Sequence, residues 1–321
     1  MISSPEITAD RFAGHDTMRR HERRAAGVYL WLGLPLMFLA RFALPVTGYG
    51  GVLLLGLVHL GLLSAVVTRT QRQTGARDAA LRLASQLLVL GPGVFFFGAI
   101  TGSPTPVDSL GYAWNTIGVA TGSLVTAAGL VALATSLWSR GERVASAVAA
   151  LGVVLATTLW LPTLGLRAAV LATGSGHAWA DLERVYAHVR STNAPMIELA
   201  DSWRGFLLLW VYALSTLSKV LHLLACATMA VALRRHRAIG AAAARIGAGL
   251  ALSLAAVIVF GRPFLDVFAV RVAWAVATIP FVAYVVPYIL GAALARAGAC
   301  ADEEILSAAT LPRGSTSRQQ A

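Results

Sequence analysis

Residues 51–68 read GVLLLGLVHLGLLSAVVT, eighteen positions with a single ionisable side chain, His59. At about 1.5 Å per residue, a helix of this length matches the roughly 30 Å of hydrocarbon in a bilayer. Its apolar residues are continuous, whereas the strands of a membrane barrel alternate apolar and polar residues. The stretch therefore predicts a transmembrane α-helix.

Comparable apolar runs follow one another along the chain. Of its 321 residues, 57% are hydrophobic and 13% are charged, against about 25% charged residues in a soluble domain. A bilayer accommodates this much apolar surface, and a single globular core does not. We therefore predict an all-α, polytopic membrane helical bundle whose eight transmembrane helices lie near 28–46, 51–68, 83–100, 115–137, 144–166, 205–233, 246–262 and 267–295.

The arginines predict how these helices are oriented. The N-terminal tail, the second, fourth and sixth connections and the C-terminus contain eighteen arginines, and the opposite connections contain five. Because short arginine-rich loops stay in the cytoplasm, we expect both termini on the cytoplasmic side of a bacterial inner membrane. These loops also explain the net charge of +11. The expected partner is the lipid bilayer and no nucleic acid, while a membrane-complex partner or a second copy of the chain is left open.

An internal repeat is predicted from a shift of 163 residues, which aligns His59 with His222 and Gly98 with Gly261. With four helices in each half, both halves begin in the cytoplasm, as parallel repeats do. The predicted segments are a cytoplasmic N-terminal tail at 1–27, a first four-helix half at 28–137, a second four-helix half at 138–296 and a cytoplasmic C-terminal tail at 297–321.

The long outer connection, 167–204, carries a pattern of its own. Trp179, Leu182 and Tyr186 recur at helical spacing among charged residues. This pattern predicts an amphipathic helix at 178–191. The helix either lies on the outer membrane surface or packs on the bundle as a lid.

Five ionisable residues fall inside the predicted helices, where charge is costly and is by default a functional hypothesis. They are Arg41, His59, Lys219, His222 and Arg271. Arg41 and Arg271 lie near the outer ends of the first and last spans. There they either extend to the lipid headgroups or hold an anionic group at the outer side of a cavity.

His59 and His222 each lie on the second helix of their half, at similar depth. If they face each other across the repeat axis, their imidazoles are placed to ligate the iron of a b-type haem, with Arg41 and Arg271 at its propionates. Haem iron is the one metal this pattern predicts. The alternative is that each histidine is a neutral hydrogen-bonding group that joins two helices.

Lys219 is the only lysine in the chain and precedes His222 by three residues. The two side chains therefore share a helix face. They predict a polar patch that lines a substrate or proton path. In the third span, Gly91-Pro92-Gly93 predicts a broken or kinked helix.

Two family resemblances rest on these residues. The eight-span plan with His59 and His222 in the second helix of each half resembles the haem A synthase fold, which implies a haem at these two positions. Residues 59–134 are similar to small four-helix membrane proteins of unknown function, through His59 and the run GVFFFGAITG at 93–102. The second resemblance implies a fold and no activity.

The motifs of nucleotide-binding loops, zinc proteases and di-iron enzymes do not occur in the sequence. We assign no catalytic residue and favour a protein that is not an enzyme over one that is. Three functional interpretations stay open. The protein binds a b-type haem or lipophilic cofactor through His59 and His222, or it is a small-solute or proton-coupled permease whose path includes Lys219 and His222, or it is a lipid-modifying membrane enzyme.

Overall fold

The computed structural model describes residues 22, 24–37, 44–73, 79–101, 110–172, 203–261, 264–279 and 282–310. These parts of the chain form helices and turns and contain no strand, which confirms the all-α prediction. The helices are α1 (24–37), α2 (Leu44–Gln73), α3 (Ala79–Thr101), α4 (Leu110–Ser139), α5 (Arg143–Ala172), α6 (Trp203–Arg235), α7 (Ala241–Phe260), α8 (Phe268–Thr278) and α9 (Val282–Thr310).

Most of these helices suit a bilayer. Six of them, α2 to α7, are long and apolar enough to cross a membrane. The short α8 and the long α9 make a seventh span if they are counted together, and they are bent by 67° at their junction. The chain is therefore a multi-pass helical membrane protein, whereas the count of eight spans stays a prediction.

The first two helices divide the chain differently from the prediction. Residues 44–46, placed at the end of the first span, belong to the start of α2, and so do residues 47–50, placed in the first outer connection. Pro45 explains the shift. In the first turn of a helix its missing N–H has no intrahelical partner to lose, so proline favours a helix start there.

Of the two outcomes predicted at Gly91-Pro92-Gly93, the break is wrong, and the kink stays a prediction. α3 continues through Pro92 from Ala79 to Thr101. The glycines serve packing instead, because a Cβ on Gly91 would lie 2.6 Å from the backbone nitrogen of Thr126 in α4. The chain there uses the absence of side chains to bring two backbones together, as membrane helices commonly do.

The distribution of apolar side chains is that of a protein in lipid. Leu54, Leu55 and Val58 of α2 are exposed, while Leu63 and Val67 of the same helix are buried. Contiguous exposed apolar surface of this kind marks a membrane interface rather than a water-facing one. The interior holds small and hydroxyl-bearing residues, which let helices approach and hydrogen-bond.

The last helix, α9, joins the two ends of the chain. The Tyr288 hydroxyl donates to the carbonyl oxygen of Leu30 in α1 at 2.6 Å. The Ser85 hydroxyl of α3 donates to the carbonyl oxygen of Gly291 at 2.9 Å. α9 also packs on α2, α6 and α7, so it contacts helices from both halves of the chain.

Candidate functional site

A small cavity lies in the bundle between α4, α5, α6 and α9. Helix α6 contributes Ser218, Lys219 and His222 to its wall. Lys219 and His222 lie on one face because three residues nearly complete a helical turn. The other residues of the wall are Ser123 of α4, Ala156, Thr157 and Trp160 of α5, and Ala283 and Tyr284 of α9.

The charge of this wall is one-sided. Lys219 is 8% exposed and His222 is 7% exposed, so both basic side chains lie inside the bundle. The nine residues that line the cavity include no carboxylate. Burying an ionisable side chain at such a position has a large desolvation cost. A side chain that is kept there despite this cost is a candidate for a functional role.

Ser123 connects three helices around the cavity. Its hydroxyl accepts a hydrogen bond from the indole nitrogen of Trp160 at 3.0 Å and another from the hydroxyl of Tyr284 at 2.8 Å. It donates its own proton to the carbonyl oxygen of Val119 at 2.7 Å. The oxygen has two lone pairs and one proton, so all three are in use and Ser123 holds α5 and α9 against α4.

The ring of Tyr284 contacts two other rings. It stacks on Phe95 of α3, with centroids 4.0 Å apart and planes 19° from parallel. The centroid of the His222 imidazole lies 5.1 Å from that of Tyr284, with the planes 36° from parallel. Ring contacts of this kind add to the energy of burying the rings. Tyr284 therefore holds the imidazole in place as well as closing the cavity wall.

One ring nitrogen of His222 is buried and unpaired within the part of the chain that the structure describes. Its Nε2 atom is fully buried and has no hydrogen-bond partner among the described residues. Leaving a buried polar atom unpaired costs about 1–3 kcal/mol, and native structures rarely tolerate it without a reason. The nitrogen lies in the wall of a cavity that also contains the Lys219 side chain, so the structure offers a place for a small polar occupant.

The size of the cavity limits what it holds in this conformation. The volume open to the centre of a water-sized sphere is about 10 Å³, close to the lower limit for one water molecule. A single atom or one water fits this space. A larger solute requires α4, α5, α6 or α9 to move.

His59 has a different environment from His222. Its Nε2 lies 2.9 Å from the carbonyl oxygen of Gly33, so this nitrogen carries the proton and donates. Its Nδ1 then accepts the hydroxyl proton of Tyr29 at 2.8 Å. Both nitrogens are engaged in tying α2 to α1, as expected of a structural histidine. Ligation of a haem iron by His59 requires one of these two bonds to break.

The remaining candidates do not lie at the cavity. Arg271 is exposed near the start of α8, where its Nε donates to the carbonyl oxygen of Leu265 at 2.9 Å. Arg41 and the predicted amphipathic helix at 178–191 fall outside the described residues. Of the five ionisable residues selected from the sequence, the structure brings Lys219 and His222 together in one wall.

Three important residues of the site were missed by the sequence reasoning. Ser123, Trp160 and Tyr284 are neutral, and a search for ionisable groups passes over them. Each of them places a polar atom within an otherwise apolar stretch. Such an atom needs a hydrogen-bond partner from the protein, because hydrocarbon offers none. A search for such atoms would have found Ser123, Trp160 and Tyr284 without showing that they bond to one another.

The cavity has a defined chemistry, with two basic side chains, one unpaired imidazole nitrogen and a wall fixed by the bonds of Ser123. No family model, no curated protein and no solved structure matches this chain.

Proposed function

We propose that this chain is a small-solute or proton-coupled permease and that Lys219 and His222 line its path. The observation that carries the proposal is the buried, unpaired Nε2 of His222 in a cavity that it shares with the only lysine of the chain. A histidine that only joined helices would have both nitrogens engaged, as His59 does. An open polar position inside helices of membrane-spanning length favours a transient occupant.

In the proposed topology both termini lie in the cytoplasm of a bacterial inner membrane. Arginines near the ends of the described helices support it, because they are exposed and lie on the predicted inner connections. They are Arg69, Arg82, Arg140, Arg143, Arg234, Arg235, Arg237 and Arg245.

Two helix contacts support the predicted repeat within this topology. Helix α2 packs on α9, and α4 packs on α6. When the first half is placed on the second, α2 corresponds to α6 and α4 corresponds to the α8–α9 pair, so the two contacts become equivalent. The proposed path lies beside one of them, in the wall shared by α4 and α6.

Removal of either basic side chain is expected to slow permeation. Purified protein is reconstituted into liposomes, and swelling is followed by light scattering in glycerol, urea, ammonium chloride and ammonium formate, with and without a pH gradient. We expect at least one solute to enter faster than into empty liposomes. Lys219→Ala and His222→Ala should reduce that rate by roughly tenfold, because a loss of about 1.4 kcal/mol at the rate-limiting barrier is a factor of ten.

Thr228→Ala is the matched control, since Thr228 lies on the same helix and donates to the carbonyl oxygen of Leu224 rather than lining the cavity. It should transport at the rate of the unmodified chain. Equal rates in protein-containing and empty liposomes for all four solutes would show that the proposal is wrong. So would unchanged permeation in both cavity variants.

The haem prediction has a separate test. Coordination by His59 and His222 predicts a Soret band in detergent-purified protein from haem-sufficient cells, and its loss in His59→Ala and in His222→Ala. A permease without haem is colourless, which is the result we expect from the two engaged nitrogens of His59. A Soret band that depends on both histidines would favour the cofactor-binding interpretation over the permease.

A further inference from the structure

The charge inside the spans is of one sign. The six helices long enough to span a membrane, and the bent α8–α9 pair as far as Ala297, contain no aspartate or glutamate. The ionisable residues of these helices that carry a positive charge when protonated and lie away from the helix ends are His59, Lys219 and His222. Carboxylates are the common intramembrane ligands for metal cations and protons. Their absence from these helices makes a cationic solute a poor match for the cavity.

The two basic side chains are the donors in the cavity wall. Lys219 in its protonated form has three N–H donors, and His222 donates through Nε2 when that nitrogen is protonated. The hydroxyl of Ser123 has no bond left for an occupant, because it accepts from Trp160 and Tyr284 and donates to a helix carbonyl. The hydroxyls of Ser218 and Thr157 give their protons to helix carbonyl oxygens and remain as neutral acceptors. Since the wall contains no carboxylate, a bound group that accepts hydrogen bonds and carries negative charge complements the two basic side chains.

We infer that the cavity is a binding site for a small monovalent anion of the halide class, held by the Lys219 ammonium and the His222 Nε2–H. The observation that points to a ligand is the unpaired Nε2 of a side chain that is 7% exposed. Chloride has no hydrogen-bond donor and a single negative charge, so it complements both groups at once. The confined space favours one atom over carboxylate or phosphate anions.

Binding does not depend on transport, whereas passage of the anion across the membrane rests on the proposed permease function. An anion also lowers the cost of keeping Lys219 charged in the bundle, because a buried charge is stabilised by a close opposite charge. The site thus couples occupancy to the stability of the closed bundle. A ligand that binds only the folded state raises its unfolding temperature as the concentration increases.

The test uses the full chain in detergent. Sodium gluconate is replaced stepwise by sodium chloride at constant ionic strength, and the unfolding midpoint is measured at each step. We expect the midpoint to rise and then saturate, and we expect bromide to act as chloride does. The rise should be lost in Lys219→Met and in His222→Phe and kept in Thr228→Ala. Each variant is first required to elute as a single folded species.

A second measurement on the unmodified protein avoids the variants. Equilibrium dialysis with radioactive chloride should show saturable binding that approaches one ion per chain, displaced by bromide and not by gluconate. Equal midpoints in chloride and gluconate, together with no saturable chloride binding, would mean that the cavity holds a water molecule only. A chloride-dependent rise of the same size in both cavity variants would equally overturn the inference.

The two proposals fail in different ways. Saturable chloride binding without chloride flux into liposomes leaves the anion site in place and removes the permease. Permeation of glycerol or urea that depends on Lys219 and is indifferent to chloride leaves the permease and removes the anion site. Chloride flux that is lost together with chloride binding in Lys219→Met supports both.

Discussion

Gly122→Ala is expected to destabilise the bundle by about 1–3 kcal/mol, the usual cost of forcing an extra group into a packed interior. Gly122 lies in α4 where this helix meets α3, and a Cβ there would overlap the backbone nitrogen and Cα of Phe95. Backbone atoms cannot turn aside as a flexible side chain does, so the helices must separate. Nearby, a Cβ on Gly98 would lie 2.6 Å from the Cα of Gly118, which shows how closely the same two helices approach.

The measurement is the unfolding midpoint of the detergent-purified protein, together with the fraction that elutes as a folded species. Gly61→Ala is the matched control, because Gly61 is exposed on α2 and a Cβ there meets nothing within 4 Å. It should leave the midpoint unchanged or raise it slightly, since alanine favours helix over glycine. Equal midpoints for the two variants would show that α3 and α4 are farther apart than described.

The second large effect is expected from Ser123→Ala. The substitution removes the acceptor of two buried donors, the Trp160 indole nitrogen and the Tyr284 hydroxyl. At about 1 kcal/mol for each donor left unpaired, the loss is roughly 2 kcal/mol. Because Tyr284 also packs against His222, we expect permeation through the cavity to fall together with stability.

Thr135→Ala controls for the loss of a hydroxyl on the same helix. Thr135 is exposed and donates to the carbonyl oxygen of Val131, four residues earlier, just as Ser123 donates to Val119. It accepts no bond from another helix in the described contacts. Its unfolding midpoint should match that of the unmodified chain within experimental error. A similar loss in both variants would mean that the two donors find water or another acceptor when Ser123 is removed.

Much of the fold followed from the sequence because apolar runs of spanning length have few alternatives to a membrane helix. The runs at 51–68 and 83–100 lie within α2 and α3. The misplaced end of the first span and the wrongly predicted break at Pro92 have one origin. Both errors concern whether a helix starts at or continues past a proline. The position of the proline within the helical turn and the packing of neighbouring helices decide this, and the local sequence alone does not.

The site was predicted in part. Lys219 and His222 were found because an ionisable residue in an apolar run is rare, and their spacing placed them on one face. Their neighbours could not be found in this way, since Tyr284 is 161 residues from Ser123 along the chain. The contrast between His59 and His222 was also hidden, because aligned positions in a repeat need not keep the same partners. Both partners of His59 lie in α1: the Tyr29 hydroxyl donates to its Nδ1, and the Gly33 carbonyl oxygen accepts from its Nε2.

The position of α9 has a consequence for the biogenesis of the protein. The bond from Tyr288 to the carbonyl oxygen of Leu30 joins residues 258 apart in the chain, and a ribosome synthesises the first partner long before the second. Until the last helix arrives, Ser123 and the carbonyl oxygen of Leu30 lack the hydrogen bonds that Tyr284 and Tyr288 donate to them. The cavity therefore forms at the end of synthesis. A chain that stops before α9 lacks the wall that Ala283 and Tyr284 provide.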